Sequence, residues 1–437
     1  MVYKFRQRTK ISLKTRLFWA VMMTVAFTAG GIVSVILLLH INHAFGLNGP
    51  KKSTNAPIVK PNSKSANSRL ANTDSVTSTS SKSINSTQKE DAQGLRITEC
   101  GITNLLHVNL STSSVPQLKK LAEYEKVCNG GLASTVSFFA GTPTTSAEAS
   151  EQASWVAEVL KEFSRKGITP LVFFEPASGN GILDLKAYKN GVYDGIINEY
   201  FASLRSRGIT DSMMGTWVPM PEGNIPVWGD VDPNDFSANV TKTVQIQKSY
   251  FPGSKAAVML QSMTYPTNGS WANGSYKSLL PFVQSIPKGL INSFGLQGFA
   301  WPPTTPDDTA QLDPSVFLRV DFAAEAAHSL GVNNIWLNTG TYNRSYVVSR
   351  SSPYTLTSEQ RQVVLNGIVQ QVEILNGQGF TTAVHLFAED KSLTDEAIDW
   401  SYWPAGLPDS SAGTYVFKTF VHDLKSIGTE LWLYDSV

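Results

Sequence analysis

Beyond residue 97 the chain alternates between apolar runs of strand length and amphipathic stretches of helix length. Eight runs read as strands: LLHVNL from Leu105, ASTVSFFAG from Ala133, TPLVFFEP from Thr169, MMGTWVP from Met213, AAVMLQSM from Ala256, INSFGLQGFAW from Ile291, NIWLNTG from Asn334 and TAVHLFAED from Thr382. Between them lie stretches such as EQASWVAEVLKEFSRKG and SEQRQVVLNGIVQQVEILNGQG, whose apolar residues recur at helical spacing and which end in Gly. A last helix, TYVFKTFVHDLKSIG, closes the pattern. Strands alternating with helices predict a parallel sheet covered by helices. Eight such units in roughly 340 residues fit one α/β domain, a (β/α)8 TIM barrel over residues 97–437. The alternative, a doubly wound open sheet, carries a Gly-rich phosphate turn after its first strand, and LLHVNLSTSS has none.

The pattern changes ahead of this domain. Residues 17–39, LFWAVMMTVAFTAGGIVSVILLL, carry no charge, and at ~1.5 Å per residue they cover about 34 Å, enough to span a bilayer as a helix. Residues 1–16 hold Lys4, Arg6, Arg8, Lys10, Lys14 and Arg16 and no acid, the excess that keeps a tail cytoplasmic. A cleaved signal peptide has a shorter apolar core, of ~7 to 15 residues, so an anchor is the preferred reading. Residues 40–96 form a linker rich in Ser, Asn and Thr, and no aromatic residue occurs between Phe45 and Tyr124. Such a stretch buries too little apolar surface to offset its ordering entropy and is expected to act as a tether. The expected placement is a single-pass protein of the cell membrane with its barrel outside.

Charge divides at the same boundary. Residues 92–437 hold 23 basic against 32 acidic side chains, a balance unsuited to neutralising nucleic-acid phosphates. Cys100 and Cys128 are the two cysteines of the chain. Outside the membrane they are equally compatible with one structural disulfide or with two free thiols. There is no zinc-type Cys/His spacing and no nucleotide, flavin or haem motif, so cofactor-free chemistry is expected.

Barrel enzymes place their chemistry at the carboxyl ends of the strands. Glu175 ends the third run, Glu222 and Asn224 follow the fourth, Trp301 ends the sixth, Asn338 to Tyr342 end the seventh, and Glu389 and Asp390 end the eighth. Carboxylates and aromatic side chains on one rim suit a neutral polyhydroxylated ligand, and glycoside hydrolysis needs a pair of carboxyl groups. Trp228 and Trp301, in loops, are candidate platforms, whereas Trp217 and Trp336, inside strand runs, read as core. His385 reads as an interior histidine. Pro219 and Pro221 end their strand near Val218, which puts Glu222 in a rim loop.

These residues resemble the (β/α)8 glycoside hydrolases of family 26, which include β-mannanases. TPLVFFEP, KNGVYDGIINEYFASLRSRG and VPMPEGNIPVWGDVDPNDF look like the family's succession of a strand ending in Glu-Pro, a Gly-x-Tyr-Asp helix start and a fourth strand ending in His-Glu-Met-Asn-Gly before Trp-Gly. NSFGLQGFAW looks like its sixth strand and HLFAEDKSLTDEAIDW like its eighth. The resemblance implies Glu222 as general acid/base, with Asn224 and Trp228 contacting substrate, and a mannan-type β-linked polysaccharide as the partner. Three positions depart from the family. Val218 and Pro221 replace its Arg and His, and Asn338-Thr339-Gly340 stands where Glu-x-Gly supplies the nucleophile. Three readings follow. Glu389, Asp390 or Glu175 replaces the missing carboxylate in an active hydrolase; or the barrel binds glycan without cleaving it; or the seventh strand is misplaced. In that last case the acids of the loop are few, because between Asp321 and Glu359 only Glu325 occurs.

Overall fold

The computed structural model describes residues 96–434, except for 99, 104–106, 108, 130, 179–180, 226–227, 229–230, 263–277, 301–311, 343, 346–353, 388–397 and 400–410. The chain divides into two units, Met1–Ser83 and Ile84–Val437, and every described residue lies in the second. The predicted span 17–39 is outside the described residues. Among those described, no helix is long and apolar enough to cross a membrane.

Eight parallel strands close into a barrel: β1 Thr135–Gly141, β2 Thr169–Glu175, β3 Thr216–Pro219, β4 Lys255–Gln261, β5 Ser293–Gln297, β6 Asn334–Thr339, β7 Thr381–Phe387 and β8 Glu430–Tyr434. Each strand pairs with the next, and β8 returns to β1 with Leu433 opposite Val136. That closure distinguishes the barrel from the doubly wound alternative.

The strand count is right but its origin is displaced by one. LLHVNL is not a barrel strand: its last residue opens a 3-10 turn at Leu110–Thr112, and Leu110 is buried in the main core with Val115 and Leu118. The omitted strand is ELWLY at residues 430–434, beyond the helix that was read as closing the pattern. Every strand of the sequence reading therefore drops one place.

Helix α1, Pro116–Val127, precedes β1 and lies next to the last long helix, α7 Ser411–Ser426, with the Tyr124 ring edge-on to Phe417 at 5.8 Å. It packs against β1. Its start is fixed by Pro116, whose missing N–H is not needed in a first turn. Cys128 at its end is disulfide-bonded to Cys100, with a Cα–Cα distance of 5.1 Å. The other long helices follow their strands: α2 Ser146–Arg165, α3 Asp194–Ser206, α4 Pro233–Tyr250, α5 Val320–Leu330 and α6 Ser358–Gly377. Their boundaries are written in the chain. Thr145 caps α2 by accepting the Glu148 N–H, Asp232 caps α4, and Thr357 with Gln360 forms a reciprocal capping box on α6.

The barrel is filled by the alternate residues of its strands. Leu171, Phe173, Val218, Ala257, Met259, Trp336, Ala383 and Phe387 form one interior cluster, edged by Phe139 and Trp432. Rings dominate it: Phe173 lies 4.9 Å from Phe139, 6.3 Å from Trp336 and 5.8 Å from His385, and Trp336 lies 6.0 Å from Trp432. Trp336 fits because its neighbour across the ladder is Gly295, where an added Cβ would come within 2.4 Å of the indole. The expectation that Trp217 and Trp336 belong to the core matches their burial, with Trp217 on the outer face against Phe174 and Phe201.

Candidate active site

Three strand ends carry a side-chain amide one position after a leucine: Leu260-Gln261 on β4, Leu296-Gln297 on β5 and Leu337-Asn338 on β6. Their register places Gln261 opposite Gln297 and Gln297 opposite Asn338, so the three amides are neighbours on the inward face. They lie one inward step beyond Met259, Gly295 and Trp336, at the carboxyl end of the barrel. Glu175 occupies the same end of β2, one inward step beyond Phe173.

Glu222 reaches this layer from the loop after β3. The loop is conformationally unusual, since Met220 and Glu222 both have left-handed backbone at φ 50° and 58°. That region is uncommon for side-chain-bearing residues and is retained where surrounding bonds enforce it. The bonds are present. Met220 N–H donates to Phe174 O at 2.9 Å, Glu222 N–H to Met259 O at 3.1 Å and Ile225 N–H to Glu222 O at 3.1 Å. Asn224 completes the hold: its Nδ2 donates to Gln261 O at 2.7 Å, and its Oδ1 accepts Gln261 N–H at 2.8 Å. Gly223 must be glycine because a Cβ there would lie 2.2 Å from the Phe236 ring.

Held this way, Glu222 Oε1 accepts Gln261 Nε2 at 3.1 Å and also accepts Gln297 Nε2. Gln297 Oε1 in turn accepts Asn338 Nδ2 at 2.6 Å, and the same Nδ2 points at Met259 Sδ, 3.6 Å away. The result is a chain of amides leading from the interior to a half-buried carboxylate. One carboxyl oxygen thus accepts from two side-chain amides.

The sequence candidates separate on this geometry. Glu222 and Glu175 stand at the carboxyl end of the barrel, as expected. Glu222, however, follows the third strand, not the fourth, and Asn338 lies on the sixth, not the seventh. The strand-by-strand correspondence with the family 26 pattern is therefore displaced, and Asn338 does not occupy a seventh-strand nucleophile position. Asn338 is fully buried, with its Nδ2 against Gln297 Oε1. Asn224 spends its amide on the Gln261 backbone, and Trp228 is half-buried with its Nε1 donating to Pro221 O at 2.5 Å. Tyr342, expected on the rim, is completely buried against Tyr354, and burial raises its phenol well above the ordinary range. Trp301, Glu389 and Asp390 lie outside the described residues. In sequence, Glu389 and Asp390 follow β7 by two and three positions.

His385 sits on β7 opposite Asn338, enclosed by Phe173, Trp336 and Trp432. Burial lowers its pKa to about 3, so it is neutral and belongs to the interior filling. Gln261 and Gln297 are neither charged nor aromatic, so the pattern of carboxylates and rings at the strand ends does not single them out. The repeated leucine-amide ending was the available signal. Among the described residues, no cluster of His, Cys, Asp or Glu could hold a metal ion.

No protein-family model matches the chain, and neither does any curated protein sequence. Solved structures with a similar chain path include a family 1 β-glucosidase from Thermotoga maritima, at 12% identity and TM-score 0.45, covering 76% of this chain and 94% of that one. Virulence factor SghA from Agrobacterium tumefaciens aligns at 9% identity and TM-score 0.44, over 70% of this chain and 85% of that one. Exo-β-1,4-mannosidase Op5Man5 from Opitutaceae bacterium strain TAV5 aligns at 12% identity and TM-score 0.47, over 79% and 63%. No residue role follows from similarity at this level.

Proposed function

We propose that this barrel is a cofactor-free glycoside hydrolase with Glu222 as its general acid/base. The observation that carries the reading is the carboxylate of Glu222, fixed at the carboxyl end of the barrel by Gln261 and Gln297. Glycoside hydrolysis needs one carboxyl group to protonate the leaving oxygen and a second to act as nucleophile or base. Glu175, at the same mouth, is one candidate for the second group. Glu389 and Asp390 are the others, being the acids that follow the seventh strand in sequence. A separation of about 5 to 5.5 Å from Glu222 corresponds to retention and ~6.5 to 9.5 Å to inversion, so the anomer first released identifies the geometry of the pair.

A neutral polysaccharide is the proposed substrate class, with a β-linked, mannan-type polymer as the first to assay because of the resemblance over residues 169–228. The uncharged segment 17–39 and the basic tail before it support display of the barrel on the outer side of the cell membrane.

The test uses the full-length chain in detergent against a panel of neutral polysaccharides. Release of reducing ends by the wild type, lost in Glu222→Gln with binding retained, supports the hydrolase. Binding without release in the wild type replaces it with a glycan-binding barrel. Neither binding nor release across the panel removes the glycan reading altogether.

A further inference from the structure

Gln297 is a two-handed residue whose orientation is set from below. Its Nε2 faces Glu222 and its Oε1 faces the N–H2 of Asn338. A carboxamide has one donor end and one acceptor end, so fixing one contact fixes the other. The polarity of Asn338 is set by its surroundings too: Nδ2 lies against Gln297 Oε1 and Met259 Sδ, both acceptors, and among the described residues its buried Oδ1 has no partner. Gln297 thus offers a donor to Glu222 only while Asn338 offers a donor to Gln297.

We propose that Asn338 is a positioning residue that sets the proton affinity of Glu222 through Gln297. Ionised Glu222 matches the arrangement present. When Glu222 takes a proton from solvent, Gln297 rotates its carboxamide by half a turn, so that Oε1 accepts the new O–H. Gln297 Nε2 then donates to Asn338 Oδ1, which the matching rotation of Asn338 brings into place. No covalent bond other than the O–H forms, and none breaks within the protein. The idle Oδ1 of Asn338 is the acceptor that the protonated state requires. Of the titratable groups near this chain of amides, His385 stands opposite Asn338 on β7, neutral in its ring cage, and Glu175 ends β2 at the same end of the barrel. The inference deepens the acid/base reading of Glu222, because an acid/base must hold both protonation states in one site.

The experiment titrates Glu222 in the full-length protein by NMR of ¹³Cδ-labelled glutamate, its resonance identified by loss in Glu222→Gln. No substrate is needed, so the outcome is independent of whether hydrolysis is found. Asn338→Asp replaces a donor by an acceptor beneath Gln297. It is expected to raise the proton affinity of Glu222 by about tenfold or more, a shift of about one pH unit upward. In a Gln297→Met background the same substitution should produce well under half of that shift. Equal shifts in both backgrounds mean a direct charge effect and overturn the proposal, as does no shift in either. If Asn338→Asp fails to fold, the wild type decides. The Gln297 side-chain amide, identified by its absence in Gln297→Met, should stay slowly exchanging on both sides of the Glu222 midpoint while its chemical shift changes at that midpoint, as its acceptor passes from the carboxylate to Asn338 Oδ1, and a shift that ignores that midpoint refutes the coupling.

Discussion

Asn224 holds Gln261 by the backbone at both polar atoms, donating to its carbonyl at 2.7 Å and accepting its N–H at 2.8 Å. One loop residue thereby continues the barrel ladder past the end of β3 and fixes where Glu222 can stand. Both bonds are buried, and truncation leaves the Gln261 N–H and C=O to find other partners. Asn224→Ala is therefore expected to destabilise the domain by about 2 kcal/mol, at about 1 kcal/mol per lost buried bond. Denaturant unfolding measures this. An effect within the error of a surface substitution would show that the loop does not depend on Asn224.

Gly223 is held by a steric limit. The methyl group of alanine would lie 2.2 Å from the Phe236 ring on α4, which is fully buried and has no room to retreat. Overpacking of this kind costs about 1 to 3 kcal/mol, and here the strain falls on the residue next to Glu222. Gly223→Ala should lower stability by about 2 kcal/mol, and Phe236→Leu should recover part of that loss in the double variant, because the two sites share one contact. Strict additivity of the two losses would rule out the clash as the cause.

How far the sequence carries depends on which physical signal a residue leaves in it. Barrel strands are apolar on both faces, so runs such as TPLVFF and AAVML stand out whatever their neighbours do. LLHVNL has the same composition, and only its place before a Pro-started helix, with Leu110 packing beside Val115, separates it from a strand. ELWLY follows Gly428 at the end of a helix as the other strands follow theirs, so the repeat of the pattern was a better guide than the strength of any one run. Strand ends were legible as places, which located Glu175 and Glu222. The direction of a rim side chain was not legible, since it depends on the left-handed turns at Met220 and Glu222 and on which amides face them. Tyr342 shows the same limit from the other side: its position after a strand suggested the rim, and its burial followed from packing against Tyr354, which the local pattern does not encode.

The Cys100–Cys128 bridge closes a segment with a sequence separation of 28 and joins the start of the domain to the end of α1. In the chain-entropy account, closing a loop of that length restricts the unfolded chain by about 3 to 4 kcal/mol. The paired substitution Cys100→Ser with Cys128→Ser should lower unfolding stability by an amount of that order. Reduction of the wild type should reproduce it. Thermal unfolding with and without reductant checks both, and a wild type insensitive to reductant would argue against a stabilising bridge.

His385 gives the interior a pH dependence whose sign can be worked out. Its folded-state pKa is lowered to about 3 by burial among Phe173, Trp336 and Trp432, whereas an unfolded histidine titrates near ~6.5. Above the unfolded value neither state holds the proton, and no stability is lost. As pH falls below that value the unfolded chain takes up a proton that the folded chain refuses, so stability declines down to the folded value. The slope from this one group approaches about 1.4 kcal/mol per pH unit. His385→Phe keeps a ring in the cage and removes the proton site. Its denaturation midpoint should fall less steeply between pH 6 and 4 than that of the wild type, while the carboxylates common to both contribute equally. Parallel curves for the two proteins would mean that His385 takes up its proton in the folded barrel, which the ring cage is expected to prevent.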